Sequence, residues 1–237
     1  MMQQNLLLIM ISNTFLIFKS ILFWINLVLS VFLIGPIAFL LGLFSYRLCL
    51  IVSKIWCRYN LFFLKYFCSL SFKLLGPGLN SSQLIISRHQ SAWETIFLAA
   101  FVQKPIFILK KELLMIPIFG WCLYLLKNIS IDRADGRSSL RKIIKSCGEH
   151  VDKNRTLIIF PEGTRIAYGE QSILKKGIFK ILDVLKMQSI LMNHDAGKFW
   201  SKNSLIIKPG VICIETLSLE YTSDMDEIKQ RIINHFA

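Results

Sequence analysis

Residues 84–94 have the sequence LIISRHQSAWE, in which an apolar run is followed by a polar pair and then by a helix-forming segment. A short apolar run that leaves a turn-rich stretch predicts a buried strand, and we expect a helix to begin near Ser91 or Trp93. His89 would then lie in the loop beyond the carboxyl end of the strand. This unit of strand, loop and helix predicts both the fold class and a site.

The same pattern recurs along the rest of the chain. The predicted strands lie within 79–89, 105–109, 129–133 and 156–163, and the predicted helices are 94–102, 137–152 and 174–187. Alternating strands and helices predict an α/β fold with a mostly parallel central sheet flanked by helices. In such sheets, chemistry gathers just beyond the carboxyl ends of the strands. His89, Arg133 and Glu162 are all predicted to lie there.

The N-terminal part of the chain is apolar enough for a membrane. Residues 1–18 carry no charged side chain, Lys19 interrupts, and residues 20–46 are again uncharged. Because about 20 helical residues cross a bilayer core, the second stretch predicts a membrane helix. Gly35-Pro36 would make it either a kinked span or a hairpin that re-enters the leaflet. A signal peptide is the alternative, but there is no charged n-region or small-residue cleavage site.

A run of cations without acidic residues follows this apolar stretch. The cations in residues 47–73 are Arg47, Lys54, Arg58, Lys65 and Lys73. Their spacing predicts a helix that lies against anionic headgroups, with the body of the protein on the cytoplasmic face of the inner membrane. We therefore expect a membrane-associated helical region at 1–74 and an α/β domain at 75–237.

Composition narrows the choice of partner. The chain is 54% hydrophobic and carries 28 Lys and Arg against 15 Asp and Glu, for a net charge of +13. Such a charge suits an anionic membrane or nucleic acid, but no nucleic-acid-binding motif accompanies the membrane-length apolar segments. The six cysteines are scattered, which argues against a zinc site or a disulfide framework and suits a reducing compartment. We expect no metal.

His89 and Glu94 form the first candidate constellation. If Glu94 lies in the first helical turn, its carboxylate can accept a hydrogen bond from one imidazole nitrogen. That bond would fix the tautomer and raise the basicity of the other nitrogen, as removal of a proton from an alcohol requires. The alternative is a histidine with a purely structural hydrogen bond.

The segment FPEGTR at 160–165 is the second candidate constellation. A tight loop after a strand can aim backbone N–H groups at an anion, and Arg165 offers a planar fork that suits a phosphate. Glu162 could accept a hydrogen bond from a polyol, and Lys111 and Arg133 would supply further positive charge. The alternative is an ordinary turn with a solvated Arg165.

Taken together, these segments resemble the lysophosphatidate acyltransferase family, also called 1-acylglycerol-3-phosphate acyltransferases. The matching blocks are SRHQSAWET (87–95), KKELLMIPIFGWCLYLLKNISIDR (110–133), FPEGTR (160–165) and DAGKFW (195–200). The resemblance spans roughly residues 84–200, and the order and spacing of the first and third blocks are far more specific than either alone.

The resemblance implies transfer of a fatty acyl group from acyl-CoA or acyl-carrier protein to the free hydroxyl of lysophosphatidic acid. It implies His89 as the general base and Glu94 as its orienting acid, with direct attack on the thioester and no bound cofactor. The residues that would bind the glycerol phosphate are Glu162, Gly163, Thr164 and Arg165, supported by Lys111 and Arg133. Membrane lipids are the other expected partners.

Three positions depart from the family pattern. Glu94 stands where the family usually has Asp, Asn128 where it often has Gly, and Leu191 where a Pro is expected. The last change affects a block linked to the acyl donor, so donor preference stays open. We interpret His194-Asp195 as part of a substituted loop and not as a second catalytic pair. Other acceptors of the same superfamily, and an inactive membrane-interaction protein on this scaffold, stay open as alternatives.

Overall fold

A computed structural model of the protein describes residues 2–132, 136–151 and 154–236. The helices are α1 (Met2–Phe44), α2 (Tyr46–Phe67), α3 (Trp93–Phe101), α4 (Phe119–Leu125), α5 (Gly136–Val151), α6 (Lys176–Leu185), α7 (Ala196–Phe199) and α8 (Met225–Phe236). The strands are β1 (Leu70–Leu75), β2 (Leu84–Ser87), β3 (Pro105–Lys110), β4 (Ile129–Ile131), β5 (Thr156–Ile159), β6 (Ser189–His194) and β7 (Gly210–Leu219). A 3₁₀ turn, Lys111–Met115, follows β3.

The seven strands form one mixed sheet in the order β1-β7-β6-β2-β5-β3-β4. Strands β2 to β6 are mutually parallel. Strand β7 is antiparallel to β6 and pairs in parallel with the edge strand β1. The predicted α/β fold with a mostly parallel sheet is confirmed. Because parallel strands end at the same edge, the loops after β2, β3, β4 and β5 open on one side of the molecule.

Successive residues of β2 bury opposite faces of the sheet, as the period of a strand requires. Ile85 packs into a core with residues of α1, α2 and α3. Leu84 and Ile86 pack into a second core with residues of α5, α6 and α8. The sheet therefore separates the N-terminal helices from the layer formed by α5, α6 and α8.

Helix α1 continues through Pro36, and the chain reverses direction at Ser45 to enter α2. Of the two alternatives at Gly35-Pro36, the hairpin is excluded and the span remains, because the loss of one helical hydrogen bond at Pro36 does not end α1. Helices α1 and α2 form an antiparallel hairpin in which Trp56 Nε1 donates to Ser30 Oγ at 2.9 Å.

The exposed surface of α1 indicates association with a membrane. The segment Asn13–Phe44 is long and apolar enough to cross a bilayer, and only 17% of its most apolar stretch is buried inside the protein. A core helix of a soluble domain would be mostly buried, so a large exposed apolar surface points to contact with lipid.

The cationic segment at 47–73 is a helix only as far as Phe67. Ser69 takes a left-handed backbone conformation with φ 54°, after which Leu70–Leu75 form β1. The prediction of helix was therefore wrong for residues 70–73, because pairing with β7 outweighs the local helical pattern. The division into 1–74 and 75–237 stays a prediction, and β1 spans its boundary.

Aromatic side chains fix the hairpin to the segment that follows β6. Phe23 and Trp24 each make an edge-on contact with Trp200, with ring centroids 5.3 and 5.5 Å apart. Trp24 Nε1 also donates to the Leu205 carbonyl at 2.9 Å. Such edge-to-face pairs add specific attraction to the burial of apolar area. The apolar hairpin is therefore positioned relative to the sheet.

Candidate active site

His89 lies just beyond β2, at the edge of the sheet where the parallel strands end. Its Nδ1 atom is 2.7 Å from Glu94 Oε1, the distance of a charge-assisted hydrogen bond. The His89 side chain is 13% exposed, whereas that of Glu94 is fully buried. The imidazole therefore reaches solvent while the carboxylate behind it is shielded.

Glu94 is held as an anion by the start of α3. Its Oε1 also accepts hydrogen bonds from the Gln90 and Ser91 backbone N–H groups, at 3.1 and 3.0 Å. Burial is the largest influence and opposes ionisation, but the His89 hydrogen bond, the neighbouring histidines and the Ser91 N–H outweigh it, so the pKa of Glu94 lies below its usual value. An ionised carboxylate only accepts hydrogen bonds, so the His89 proton sits on Nδ1 and leaves the Nε2 lone pair available.

Phe160 connects this histidine to the second candidate constellation. The Phe160 ring stacks on the His89 imidazole, with centroids 4.1 Å apart and planes inclined by 20°. In the same region, the Ile166 N–H donates to the His89 carbonyl at 2.8 Å. The FPEGTR loop therefore contacts both the side chain and the backbone of His89. The predicted proximity of the two loops is confirmed.

Gly163 allows the tight turn of this loop. It adopts φ 69°, a left-handed conformation that glycine takes without strain, and its N–H donates to the Phe160 carbonyl at 3.0 Å. The Lys175 N–H donates to the Pro161 carbonyl at 2.8 Å and closes the other side. Thr164 is exposed, and Arg165 is half-buried. Within the described ranges, no hydrogen bond or ion pair engages Arg165.

Glu162 points into the protein, whereas we expected its carboxylate to be available to a polyol. The residue is 2% exposed, and Ser172 Oγ donates to its Oε1 at 3.0 Å. Burial raises the pKa of Glu162 to about 7, against the opposing influences of the Ser172 hydrogen bond and the Arg88 charge. Its binding role stays a prediction, and the Ser172 contact gives it a second role in holding the loop.

Two buried side chains that we did not predict support the loop that carries His89. Arg88 donates through Nη1 to the Phe236 carbonyl and through Nη2 to the Glu170 carbonyl at 2.7 Å. His194 Nε2 lies 2.9 Å from the Arg88 carbonyl, while its Nδ1 accepts from the Ala196 N–H at 3.3 Å. Arg88 stands out in the sequence as the first residue of the polar pair that follows β2. The residues to which it donates hydrogen bonds are far away in sequence.

The end of β6 and the residues after it make structural contacts, and the interpretation of His194-Asp195 as a substituted loop stays a prediction. Asp195 Oδ1 accepts from the Cys213 N–H at 2.7 Å, and His194 is engaged at both ring nitrogens. The Gly197 N–H donates to Gln90 Oε1 at 3.2 Å. A side chain on Gly197 would press against Gln90, with a Cβ only 3.0 Å from the Gln90 Cβ. The DAGKFW block therefore packs against the His89 loop.

Of the two cations that we predicted to support phosphate binding, Lys111 lies within the described residues and Arg133 does not. Lys111, which directly follows β3, forms an exposed ion pair with Asp132, which directly follows β4. Hydrogen bonding to Asp132 raises the pKa of Lys111, which therefore stays protonated. The prediction for Arg133 lies outside the described residues. The roles of both in binding stay predictions.

Replacing Glu162 by glutamine should weaken the dependence of stability on pH. Since the pKa of Glu162 is raised to about 7 in the folded chain, the folded state binds its proton more tightly than the unfolded state. This carboxyl therefore lowers the free energy of unfolding as pH rises from about 4.5 to 7, by at most roughly 3 kcal/mol.

Urea unfolding of both proteins in detergent, at pH 5 and pH 7.5, tests this expectation. We expect a smaller loss of stability between the two pH values for Glu162→Gln than for the unmodified chain. An identical loss in both proteins would show that Glu162 ionises in the folded state as it does in water.

Comparisons with known proteins identify the family. The model of the family described as Acyltransferase matches residues 78–193, which include both His89 and the FPEGTR loop. The 1-acyl-sn-glycerol-3-phosphate acyltransferase of Pseudomonas aeruginosa is 32% identical over 199 residues, 82% of this chain and 77% of that protein. The enzyme of the same name from Helicobacter pylori is 32% identical over 180 residues, 70% of this chain and 76% of that protein.

A solved structure shows the same fold. The crystal structure of the 1-acyl-sn-glycerophosphate acyltransferase of Thermotoga maritima superimposes with a TM-score of 0.71 at 19% identity, over 95% of each chain. It matches the N-terminal helices as well as the sheet, since the alignment leaves out only 5% of this chain. With the dyad, the loop that stacks on it and the two bacterial relatives, these findings place the chain in the 1-acyl-sn-glycerol-3-phosphate acyltransferase family.

Proposed function

We propose that the chain transfers a fatty acyl group from acyl-CoA or acyl-carrier protein to the sn-2 hydroxyl of 1-acylglycerol 3-phosphate, which forms phosphatidic acid. The observation that carries this proposal is the hydrogen-bonded pair of His89 and Glu94 with the Phe160 ring stacked on the imidazole. This arrangement joins a base to a loop of the kind that binds phosphate, and lysophosphatidate presents a hydroxyl and a phosphate together.

In this mechanism, His89 Nε2 removes the hydroxyl proton as the oxygen attacks the thioester carbonyl carbon. Glu94 keeps the proton of Nδ1 in place and stabilises the imidazolium that forms. The tetrahedral intermediate then collapses, the bond from carbon to sulfur breaks, and the His89 proton passes to the departing thiolate. Backbone N–H groups of the two loops are the candidates for stabilising the oxyanion. The scheme needs no metal or bound cofactor.

Arg165 is the side chain best placed to meet the phosphate. It belongs to the loop that packs on His89, and the described residues leave its guanidinium without an ion pair. A planar fork can donate two parallel hydrogen bonds to a phosphate, which a lysine cannot do. Thr164 is exposed beside it and could donate a further hydrogen bond.

We further propose that the site faces the cytoplasm. The cations Arg58 and Lys65 on α2 lie on the hairpin that carries the exposed apolar surface, which suits the cytoplasmic end of a membrane segment. The cysteines whose side chains the structure describes are all free thiols, which suits a reducing compartment. A cysteine-accessibility or protease-protection assay on oriented membrane vesicles tests this orientation.

An acceptor panel tests the proposed activity. Purified protein in detergent would receive radiolabelled acyl-CoA or acyl-carrier protein together with 1-acylglycerol 3-phosphate, glycerol 3-phosphate, lysophosphatidylcholine or a lyso-amino-acid lipid. We expect acylation of 1-acylglycerol 3-phosphate in strong preference to the others. Efficient acylation of another acceptor, with none of lysophosphatidate, would contradict the proposal.

Replacing Arg165 by alanine should raise KM for lysophosphatidate by about tenfold or more, because a charge-assisted hydrogen bond to phosphate is lost. The value of kcat should change less, since Arg165 binds the phosphate in the ground state as well as in the transition state. Arg165→Lys keeps the charge without the planar fork, so its KM for lysophosphatidate should lie between that of the unmodified chain and that of Arg165→Ala. Lys229→Ala removes an exposed cation of α8 and serves as the control. An unchanged KM in Arg165→Ala would remove this residue from the site.

A further inference from the structure

Helices α5 and α6 carry a basic surface that the proposed chemistry does not use. We define the α5–α6 basic face by six exposed side chains: Arg141, Lys142, Lys145, Lys175, Lys176 and Lys180. None of them forms an ion pair with any residue within 2–132, 136–151 or 154–236. Their charge is therefore open to an external partner.

The two helices present their cations on one continuous surface. On α5, Ile143 is buried in the core beneath the sheet, so Arg141 and Lys145 project outward one turn apart. On α6, the buried Ile178 and Ile181 leave the lysines at 176 and 180 in the corresponding outward positions. The helices touch where a Gly177 Cβ would lie 3.6 Å from Leu140 Cδ1. The cations therefore flank the seam between α5 and α6.

The face begins beside the active site. Lys175 immediately precedes α6, and its N–H donates to the Pro161 carbonyl of the FPEGTR loop at 2.8 Å. Helix α6 runs from this edge of the sheet back toward the start of β6. A partner seated on the face would have one end next to the loop that packs on His89.

The position of this face argues against a membrane as the partner. Helices α5 and α6 cover the core that includes Ile86, whereas α1 and α2 cover the opposite core that includes Ile85. A bilayer that holds the exposed apolar surface of α1 would therefore lie across the sheet from the α5–α6 basic face. The partner that fits is a soluble and acidic one.

The size of the face argues against a free nucleotide. Arg141 and Lys145 are separated by four helical residues, about 6 Å along the axis. Packed helices lie roughly 8–10 Å apart, so the cations are spread over an area much larger than one phosphate. All six are exposed, whereas a small anion is normally bound by groups that converge in a pocket.

We propose that the α5–α6 basic face docks an acidic acyl-carrier protein, which delivers the acyl thioester to His89. The inference rests on the proposed function and selects one of its two donors. A carrier bound by complementary charge would associate faster, and its flexible arm could reach the site past the FPEGTR loop.

Charge reversal tests this docking surface. In the triple variant Arg141→Glu, Lys145→Glu, Lys180→Glu, each substitution changes the charge by two, so the formal net charge falls from +13 to +7. The matched control Lys202→Glu, Lys208→Glu, Lys229→Glu makes the same change at exposed positions outside α5 and α6. The thermal unfolding midpoint of each variant in detergent shows that it is folded.

We expect the triple variant to raise KM for acyl-carrier protein by about tenfold, since each of three exposed charge pairs contributes modestly. The KM for acyl-CoA and kcat should be unchanged, and the control should behave as the unmodified chain. The KM for acyl-carrier protein should also rise with salt in the unmodified chain and much less in the variant.

Several outcomes would overturn the proposal. The first is that the unmodified chain uses acyl-CoA but no acyl-carrier protein. The second is that KM rises equally for both donors in the triple variant, or that the control variant shows the same rise in KM for acyl-carrier protein. The last is that the triple variant no longer binds anionic vesicles. Failure of the proposed function looks different, because lysophosphatidate would then be acylated from neither donor.

Discussion

Replacing His89 by alanine is expected to lower kcat for acylation of lysophosphatidate by about 10³-fold, which lies within the range for loss of a positioned general base. The hydroxyl must lose its proton as it attacks, and the His89 imidazole reaches solvent where the two loops meet. Initial rates with purified protein in mixed micelles would measure the effect.

The His89→Ala substitution should impair the acyl-transfer step and not membrane association. His89→Ala removes a side chain that is only 13% exposed and does not belong to α1, so association with membranes in a flotation assay should be unchanged. His235→Ala is the matched control, because it removes a histidine of α8 whose Nε2 lies 3.2 Å from the Glu215 carbonyl. If His89→Ala retained the rate of the unmodified chain, the base would have to be another group.

Replacing Glu94 by glutamine should lower kcat by roughly 10²-fold to 10³-fold. The glutamine amide nitrogen can donate to His89 Nδ1, which would move the imidazole proton to Nε2 and abolish its function as a base. The side chain is fully buried and also accepts hydrogen bonds from Gln90 and Ser91, so part of the loss would come from a loosened loop.

Glu94→Asp separates these two effects. It keeps the negative charge and the acceptor oxygens, but the shorter side chain must reach the same imidazole nitrogen and the same two N–H groups. We expect it to retain more activity than Glu94→Gln at equal thermal stability. A glutamine variant with kcat within threefold of the unmodified chain would contradict the orienting role of the carboxylate.

Much of the catalytic half of the sheet was predictable because its signals are local. The apolar run of β2, the polar pair after it and the helix that begins at Trp93 follow one another within a few residues. The same is true of β5 and the FPEGTR loop. Strands that end at one edge bring their loops together, so the proximity of His89 to this loop followed from the fold class.

The parts that were missed depend on distant partners. We did not predict β1, β6, β7 or α8. Residues 70–73 continue the cationic pattern of α2, and only pairing with residues 210–213 makes them a strand. The environment of Glu162 likewise depends on the Ser172 hydrogen bond and the Arg88 charge, neither of which a local pattern reveals.

The pairing of β1 with β7 has a consequence for the order in which the newly made chain assembles. Leu70 pairs with Gly210, so β1 leaves the ribosome 140 residues before its partner. At roughly 5–20 residues per second, the gap lasts on the order of ten seconds. During that time an edge strand with apolar side chains such as Phe72 has open backbone groups, which favour aggregation. Early insertion of α1 into the bilayer would keep nascent chains apart until β7 emerges and completes the sheet.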